Sequence, residues 1–432
     1  MPEFIKNRIK FFKVMIPGYI SAISFGYLFI GSNMLVQFIL TPMYLNFLGE
    51  EQFGLLMLLL SIINFLAIGI TWMSGGLVRI LGEYWAKSNI LGFKNSFVLG
   101  KYVFTLYSCL IVFFGIILWL ILDDQKNIEK IKLDILLASI YLIIYYENLP
   151  GRQAFVGINQ QSTGSIIEFL RVIFFGLLVF FLLPYFKDIS VVWISLIIGV
   201  CCERIITGYY WKKYVGVFGW MKFSSDMRPL LKRLVGKQGF GYMIYGMLVL
   251  ASQADAMVIG LIGGVEAVGK FVLLWKIPSA IIVLLWKVSA ALKPRVVQLD
   301  AQGKIDKIKE IYISGRKWYY LLVLLISSFY ILSGKWLTEL WVGQFAPSEN
   351  WMYVVSGVAL FFSLLSRWPI SFSHALIKLP ELNKVASFEL IGKVIFTIML
   401  YPYFNIASPA VGLIIIHLIY VAYAYQNLML TK

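Results

Sequence analysis

The sequence predicts an all-α polytopic membrane protein of about twelve transmembrane helices, arranged as two parallel six-helix repeats. Three observations predict it. The 432 residues are 60% hydrophobic and only 14% charged, with a mean hydropathy of +0.82, whereas a soluble chain carries roughly a quarter charged residues. Basic residues are dense in every second loop and sparse in the others. The chain also matches itself at a shift of 215 residues.

At about 20 apolar residues per span, twelve spans use roughly 240 residues. The remainder makes short loops and leaves no room for a sizeable soluble domain. Apolar runs between polar breaks place the spans at 16–41, 53–76, 98–121, 133–150, 164–183, 189–211, 238–262, 269–291, 318–334, 350–366, 384–404 and 408–430. No alternation of period two runs along the chain, which argues against a β-barrel. The 13 Trp and 25 Tyr suit a long membrane–water perimeter. The start, MPEFIKNRIKFFKVM, is basic and amphipathic. The apolar run after it is long enough to span, so no cleavable signal is expected. Cys109, Cys201 and Cys202 lie in apolar runs, so neither a disulfide framework nor a metal site is expected.

The loop charges orient the map. One set of alternate loops and termini holds 26 of the 38 Lys and Arg, and the other set holds five: Lys126, Lys130, Lys132, Lys187 and Lys335. The positive-inside rule then puts both termini in the cytoplasm. The net charge of +16 is read as loop charge that sets topology and attracts anionic lipid, not as a nucleic-acid surface.

The repeat sets LGEEQFGLLMLLLSI (48–62) on GGVEAVGKFVLLWKI (263–277) without a gap. Gly49, Glu51, Gly54, Leu58, Leu59 and Ile62 meet Gly264, Glu266, Gly269, Leu273, Leu274 and Ile277. Arg152 meets Arg367 and, at a slightly larger shift, RVIF (171–174) meets KVIF (393–396). The division expected is a bundle at 1–211, a basic cytoplasmic linker at 212–237 and a second bundle at 238–432. Two such bundles about a central seam form a machine for alternating access. No GxxxxGK phosphate loop occurs, so no built-in ATPase is expected. His374 and His417 have no partner spacing and read as satisfied polar residues.

Charge in hydrocarbon is costly and normally faces a protein interior or a wet cavity. Lys276 lies about 10 Å below the outer edge of its span. Pro278 opens the hydrogen-bond ladder beside it. Lys287, eleven residues on, shares its helical face; it lines the same cavity or snorkels to headgroups. Glu168 and Arg171 stand at i,i+3, and Glu389 and Lys393 at i,i+4, on spans that are repeat mates. They neutralise each other within a helix, or their cations face the seam and hold a diphosphate. Arg152 and Arg367 either catch an anionic headgroup or anchor helix ends, and Arg79 has the same two readings. Glu203 and Arg204 are adjacent, so they do not pair with each other on a helix. Asp255 lacks an opposite charge within a turn. It is a coupling site for H+ or Na+, or it is the partner of a Lys or Arg on another helix.

LTPMYLNFLGEEQFGLLMLLLSI (40–62), RILGEY (79–84), ADAMVIGLIGGVEAVG (254–269) and ALKPRVVQLDAQGK (291–304), in that order and spacing, carry a resemblance. The chain resembles the polysaccharide-transporter branch of the multidrug/oligosaccharidyl-lipid/polysaccharide (MOP) exporter superfamily, and most of all the bacterial O-antigen and capsule repeat-unit flippases. The resemblance implies two six-helix bundles forming a V around a central cavity, in the bacterial inner membrane. It implies an undecaprenyl-diphosphate-linked oligosaccharide as cargo, held by cavity cations and moved to the outer leaflet, with an ion gradient driving the cycle. It also implies a polysaccharide polymerase and a chain-length regulator as partners, and no cofactor beyond the coupling ion. On physical grounds the cations assigned to the cavity are Lys276, Arg171, Lys393, Arg152, Arg367, Arg204, Lys287 and Arg79, with Asp255 for ion coupling.

Two other classes compete. A drug or cation antiporter of the same superfamily would favour an acidic, aromatic pocket. The spans hold seven basic residues (Lys101, Arg171, Arg204, Lys270, Lys276, Lys287, Lys393) against five acids (Glu147, Glu168, Glu203, Asp255, Glu389) and Asp134 at the outer edge of the fourth, which leans toward an anion. A polymerase or glycosyltransferase would need a substantial outer loop, and the outer connections near 122–132 and 335–349 are short.

Overall fold

The computed structural model describes residues 18–66, 68–121, 128–216, 227–235, 243–290, 292–376 and 379–427. The basic N-terminal segment, and residues 217–226 and 236–237 of the expected linker, lie outside them. The described residues are helical apart from short connections, and no strand occurs among them. In chain order the first helices are α1 (Gly18–Leu48), α2 (Glu50–Leu66), α3 (Ile68–Ala86), α4 (Ile90–Ile121), α5 (Ile128–Gly157), α6 (Gln161–Phe186), α7 (Ser190–Val215) and the short α8 (Met227–Val235). There follow α9 (Met243–Ala290), α10 (Lys293–Ala301), α11 (Ile305–Val342), α12 (Asn350–Ala375), α13 (Leu379–Phe404), α14 (Ser408–Ile416), a π-helical turn (His417–Val421) and α15 (Ala422–Asn427).

Nine segments among the described residues are long and apolar enough to cross a membrane. Eleven of the twelve expected spans map onto them because two segments each cover two spans. Residues 254–289 are broken at Gly264, whose φ of 80° is not helical. Residues 381–427 are broken by the tight turn Asn405–Ala407. The second expected span falls across α2 and α3, on either side of residue 67. Helices also outrun their apolar cores. At 1.5 Å per residue, the 38 residues of α11 reach about 57 Å, well beyond a hydrocarbon thickness of about 30 Å. Its first turns therefore carry exposed Asp306, Lys307, Lys309 and Glu310. Large apolar side chains such as Leu35, Phe181 and Leu332 stand exposed, as lipid-facing groups do. The chain is a multi-pass membrane protein.

The repeat in sequence is a repeat in backbone geometry. Gly49 and Gly264 are mates at the shift of 215, and their φ values are 84° and 80°. A side chain there would cost about 1–2 kcal/mol, which explains why both positions hold glycine. A second match escaped the sequence comparison because its shift is 218: ProTyrPhe ends α6 at 184–186 and α13 at 402–404. The next residues, Lys187 and Asn405, both take φ of 49°.

By contact the chain divides into two units. One comprises residues 1–48 and 69–242, the other 49–68 and 243–432. In the first, α1 packs on α6, and α5 lies against α4 and α7. In the second, α2 lies along α9, α9 packs on α12 and α13, and α11 packs on α12. Segment 49–68 thus groups with residues 243–432, whereas the sequence reading put it in the bundle 1–211. Two repeat mates permit this. Gly54 and Gly269 meet so closely that a Cβ on Gly269 would lie 3.4 Å from the Gly54 Cα.

Prolines inside helices leave carbonyls without their N–H partner, and two tyrosines supply it. Pro278 frees the Leu274 carbonyl, to which the Tyr330 hydroxyl donates at 3.2 Å. Pro369 frees the Leu365 carbonyl, and the Tyr320 hydroxyl donates there at 3.4 Å. The ladder opening expected at Pro278 is present, and it is closed from α11.

Candidate functional site

Each unit holds a buried polar cluster built from equivalent helices. In the first unit, α5, α6 and α7 bring Arg152, Arg171, Glu168 and Glu203 together. Glu203 is 1% exposed and accepts Arg152 Nη2 at 2.6 Å, with Arg152 Nε on its other oxygen. Arg171 Nε lies 2.9 Å from Glu203 Oε2 as an ion pair, although its N–H is not aimed as a hydrogen bond. Glu168 Oε1 is 4.0 Å from Arg152 Nε, and the Arg152 guanidinium stacks 4.2 Å over the Tyr145 ring. Two cations therefore meet two carboxylates. Glu147 closes a second group on α4, α5 and α7, 2.8 Å from Arg204 Nη2 and 3.8 Å from Lys101 Nζ.

In the second unit, α9, α12, α13 and the π-helical turn form the counterpart. Lys393 Nζ donates to Asp255 Oδ2 at 2.5 Å, and both are buried. The Tyr425 hydroxyl donates to Glu389 Oε2 at 2.9 Å. His417 is 1% exposed. Its Nδ1 lies 3.0 Å from the Leu413 carbonyl, and its Nε2 lies 3.1 Å from Ser366 Oγ and 3.9 Å from Glu389 Oε1. Arg367 stacks 5.2 Å over the Trp286 ring, and its Nε is buried without a hydrogen-bond partner. Ser289 and Ser371 share a hydrogen bond of 2.8 Å that ties α9 to α12 beside it.

The cations assigned from sequence thus have varied surroundings. Arg152, Arg171, Arg204 and Lys393 are paired with carboxylates on other helices. Neither expected intrahelical pair forms. Arg171 turns to Glu203 instead of Glu168, and Lys393 turns to Asp255 instead of Glu389. The reason is reach: a neighbouring helix offers the more deeply buried carboxylate, which needs a counter-charge more. Asp255 has the partner on another helix that was one of its two readings. Lys276 is half-buried and Lys287 is exposed. Arg79 is exposed and bonds Glu83 one turn on, at 3.1 Å.

Sequence reading missed three things: Glu203 as a shared counter-ion, the grouping of Glu389 with His417, Ser366 and Tyr425, and a tie between α3 and α8. No spacing rule links residues so far apart in the chain. In the tie, Arg233 of α8 also bonds Glu83. Hydrogen bonds from Arg233 and then Arg79 hold the Glu83 carboxyl below its usual value of 4.5. A carboxyl with a lowered folded-state pKa lends stability above its unfolded value and loses it as pH falls through the folded one. Backbone amides of residues 227–235 are therefore expected to lose protection, measured against their intrinsic exchange rates, as pH falls below the ordinary carboxylate range. The variant R233A should show that loss of protection at every pH.

No family model and no curated protein sequence matches the chain. Solved structures do. The inward-facing conformation of a multidrug resistance MATE family transporter of the MOP superfamily matches with a TM-score of 0.71 at 13% identity, over 92% of this chain and 94% of that one. The chain has the MOP transporter fold. The outward-facing conformation of such a transporter matches with a TM-score of 0.66 at 14% identity, over 95% and 94% of the two chains. A MOP superfamily transporter from Pyrococcus furiosus, described by a reverse polarity of its binding pocket that suggests a different function, matches with a TM-score of 0.65 at 13% identity. That match covers 95% of this chain and 96% of the other.

Proposed function

We propose that the protein is a flippase. It carries an undecaprenyl-diphosphate-linked oligosaccharide, an O-antigen or capsule repeat unit, from the cytoplasmic to the outer leaflet of a bacterial inner membrane by alternating access, driven by an ion gradient. Such a head group cannot cross about 30 Å of hydrocarbon unaided.

Arg367 carries this reading. Among the described residues it forms no ion pair, whereas its repeat mate Arg152 is bound to Glu203. A guanidinium held against an indole keeps its fork of donors for a phosphate. Lys287, exposed and next in the chain to Trp286, adds a second cation on α9.

A cationic-drug antiporter is the second reading, favoured by the multidrug neighbours. It needs an available acid. Of the six acids within the spans, four lie within 4.0 Å of a Lys or Arg. Glu389 has histidine and tyrosine partners instead, and Asp134, buried at the start of its span, has no Lys or Arg within that distance among the described residues. The reversed pocket polarity described for the Pyrococcus furiosus neighbour supports a fold that accepts more than one charge class of cargo.

The test uses the full chain in proteoliposomes, with fluorescent undecaprenyl-diphosphate N-acetylglucosamine as one probe and ethidium as the other. Flipping of the lipid, with an affinity lowered about tenfold or more in R367A and partly recovered in R367K, is the expected result. Ethidium transport without lipid flipping would overturn the reading in favour of the antiporter.

A further inference from the structure

Glu389 differs from the four span acids that meet a Lys or Arg, because its neighbours are proton-exchanging groups rather than fixed cations. His417 occupies the first position of the π-helical turn, a feature found often at functional sites. The Ala422 amide reaches back five residues to the His417 carbonyl, so this residue is where the last helix changes its winding. A carbonyl can only accept, so the contact with Leu413 O fixes the neutral ring's proton on Nδ1. That leaves the Nε2 lone pair facing Ser366 Oγ at 3.1 Å and Glu389 Oε1 at 3.9 Å. Ser366 has a second acceptor, the Phe362 carbonyl at 3.4 Å.

We propose that His417 and Glu389 form a proton-binding site, with Ser366 and Tyr425 as its fixed hydrogen-bond partners. This rests on the gradient-driven reading above and names H+ as the ion. In the neutral state the Ser366 hydroxyl donates to Nε2. When a proton from water binds Nε2, the ring becomes a donor at both nitrogens. The Ser366 hydrogen then swings to the Phe362 carbonyl, and the imidazolium lies beside the Glu389 carboxylate. Release of the proton to water reverses each step, and no other atom is exchanged. Tyr425 keeps one Glu389 oxygen occupied and leaves the other for the imidazolium.

The charges around the pair suit a group that must switch. Glu389 and Lys393 face it from α13, and Ser366 and Arg367 from α12. Lys393 is held by Asp255 from α9, and Arg367 is drawn over Trp286. Neither cation is within ion-pair distance of Glu389 in the described structure. The histidine is therefore the cation Glu389 would meet, and it is one only when protonated.

The chain has two histidines, which makes the site readable directly. Full-length protein carrying ¹⁵N-histidine, in liposomes, would be followed by solid-state NMR from about pH 5 to 9, with H374N assigning the His417 signals. The expected result is conversion of His417 from an Nδ1–H ring to imidazolium within that range. In E389Q its proton affinity should fall about tenfold or more, and exchange of NaCl for KCl should leave it unchanged. A His417 signal that stays in one form throughout, that titrates alike in E389Q, or that moves with sodium would overturn the proposal. No sugar lipid enters this measurement. Failure here beside intact lipid flipping removes the proton site and leaves the flippase. Intact titration without flipping does the reverse.

Discussion

E203A is expected to lower the stability of the protein by about 3–5 kcal/mol, the cost of leaving buried cations without their counter-ion. Arg152 is 8% exposed and Arg171 turns to the same carboxylate. With Glu203 gone, both guanidiniums would compete for Glu168, which is 4.0 Å from the nearer one and partly exposed. E203Q keeps the acceptor oxygen and loses the charge, so it should fall between wild type and E203A. The decisive comparison is E203Q/R171Q, which removes one charge of each sign. It should recover most of the loss, because a missing pair is far less costly than a broken one. Thermal unfolding of the purified chain in detergent would order the variants wild type, double, E203Q, E203A. A double variant as unstable as E203A would mean that packing rather than charge holds the cluster.

The fold was legible because its determinants are local and repeated. Apolar length located most of the spans that the helices occupy. The mates Gly49 and Gly264 gave a repeat that the backbone shares down to its left-handed φ values. The polar clusters were legible in membership and not in pairing. Composition located Arg152, Arg171, Arg204, Lys393 and Asp255 inside spans, but only the helix packing decides which charges meet. Spacing offers i,i+3 and i,i+4 partners as one of the two readings of Arg171 and Lys393, and the helix packing gives them the deeper carboxylates of other helices instead. The grouping of 49–68 with the later half was hidden for a similar reason. A glycine-to-glycine approach is a contact between segments far apart in the chain. His417 was read as a satisfied polar residue, and its hydrogen bonds agree with that reading. What sequence could not supply was the carboxylate of Glu389, 28 residues upstream, opposite its second nitrogen.

D255N should separate the two readings of Asp255. A carboxylate that couples transport to an ion must exchange its counter-charge during the cycle. Asp255 instead faces Lys393 Nζ at 2.5 Å on a neighbouring helix, with both side chains almost fully buried. Neutralising the acid alone strands the ammonium, so D255N is expected to destabilise the protein by about 3–5 kcal/mol. D255N/K393M removes the stranded charge and should unfold near the wild-type temperature. The Lys393 carbonyl also accepts from Thr397 Oγ1 at 2.8 Å, a bond the methionine leaves in place. If Asp255 is a structural partner, the double variant should still respond to collapse of the proton gradient, since the site at His417 and Glu389 is intact. A double variant that is stable, moves cargo and has lost its response to the gradient would return the coupling role to Asp255. In that case the Lys393 ammonium would be the group that the driving ion displaces.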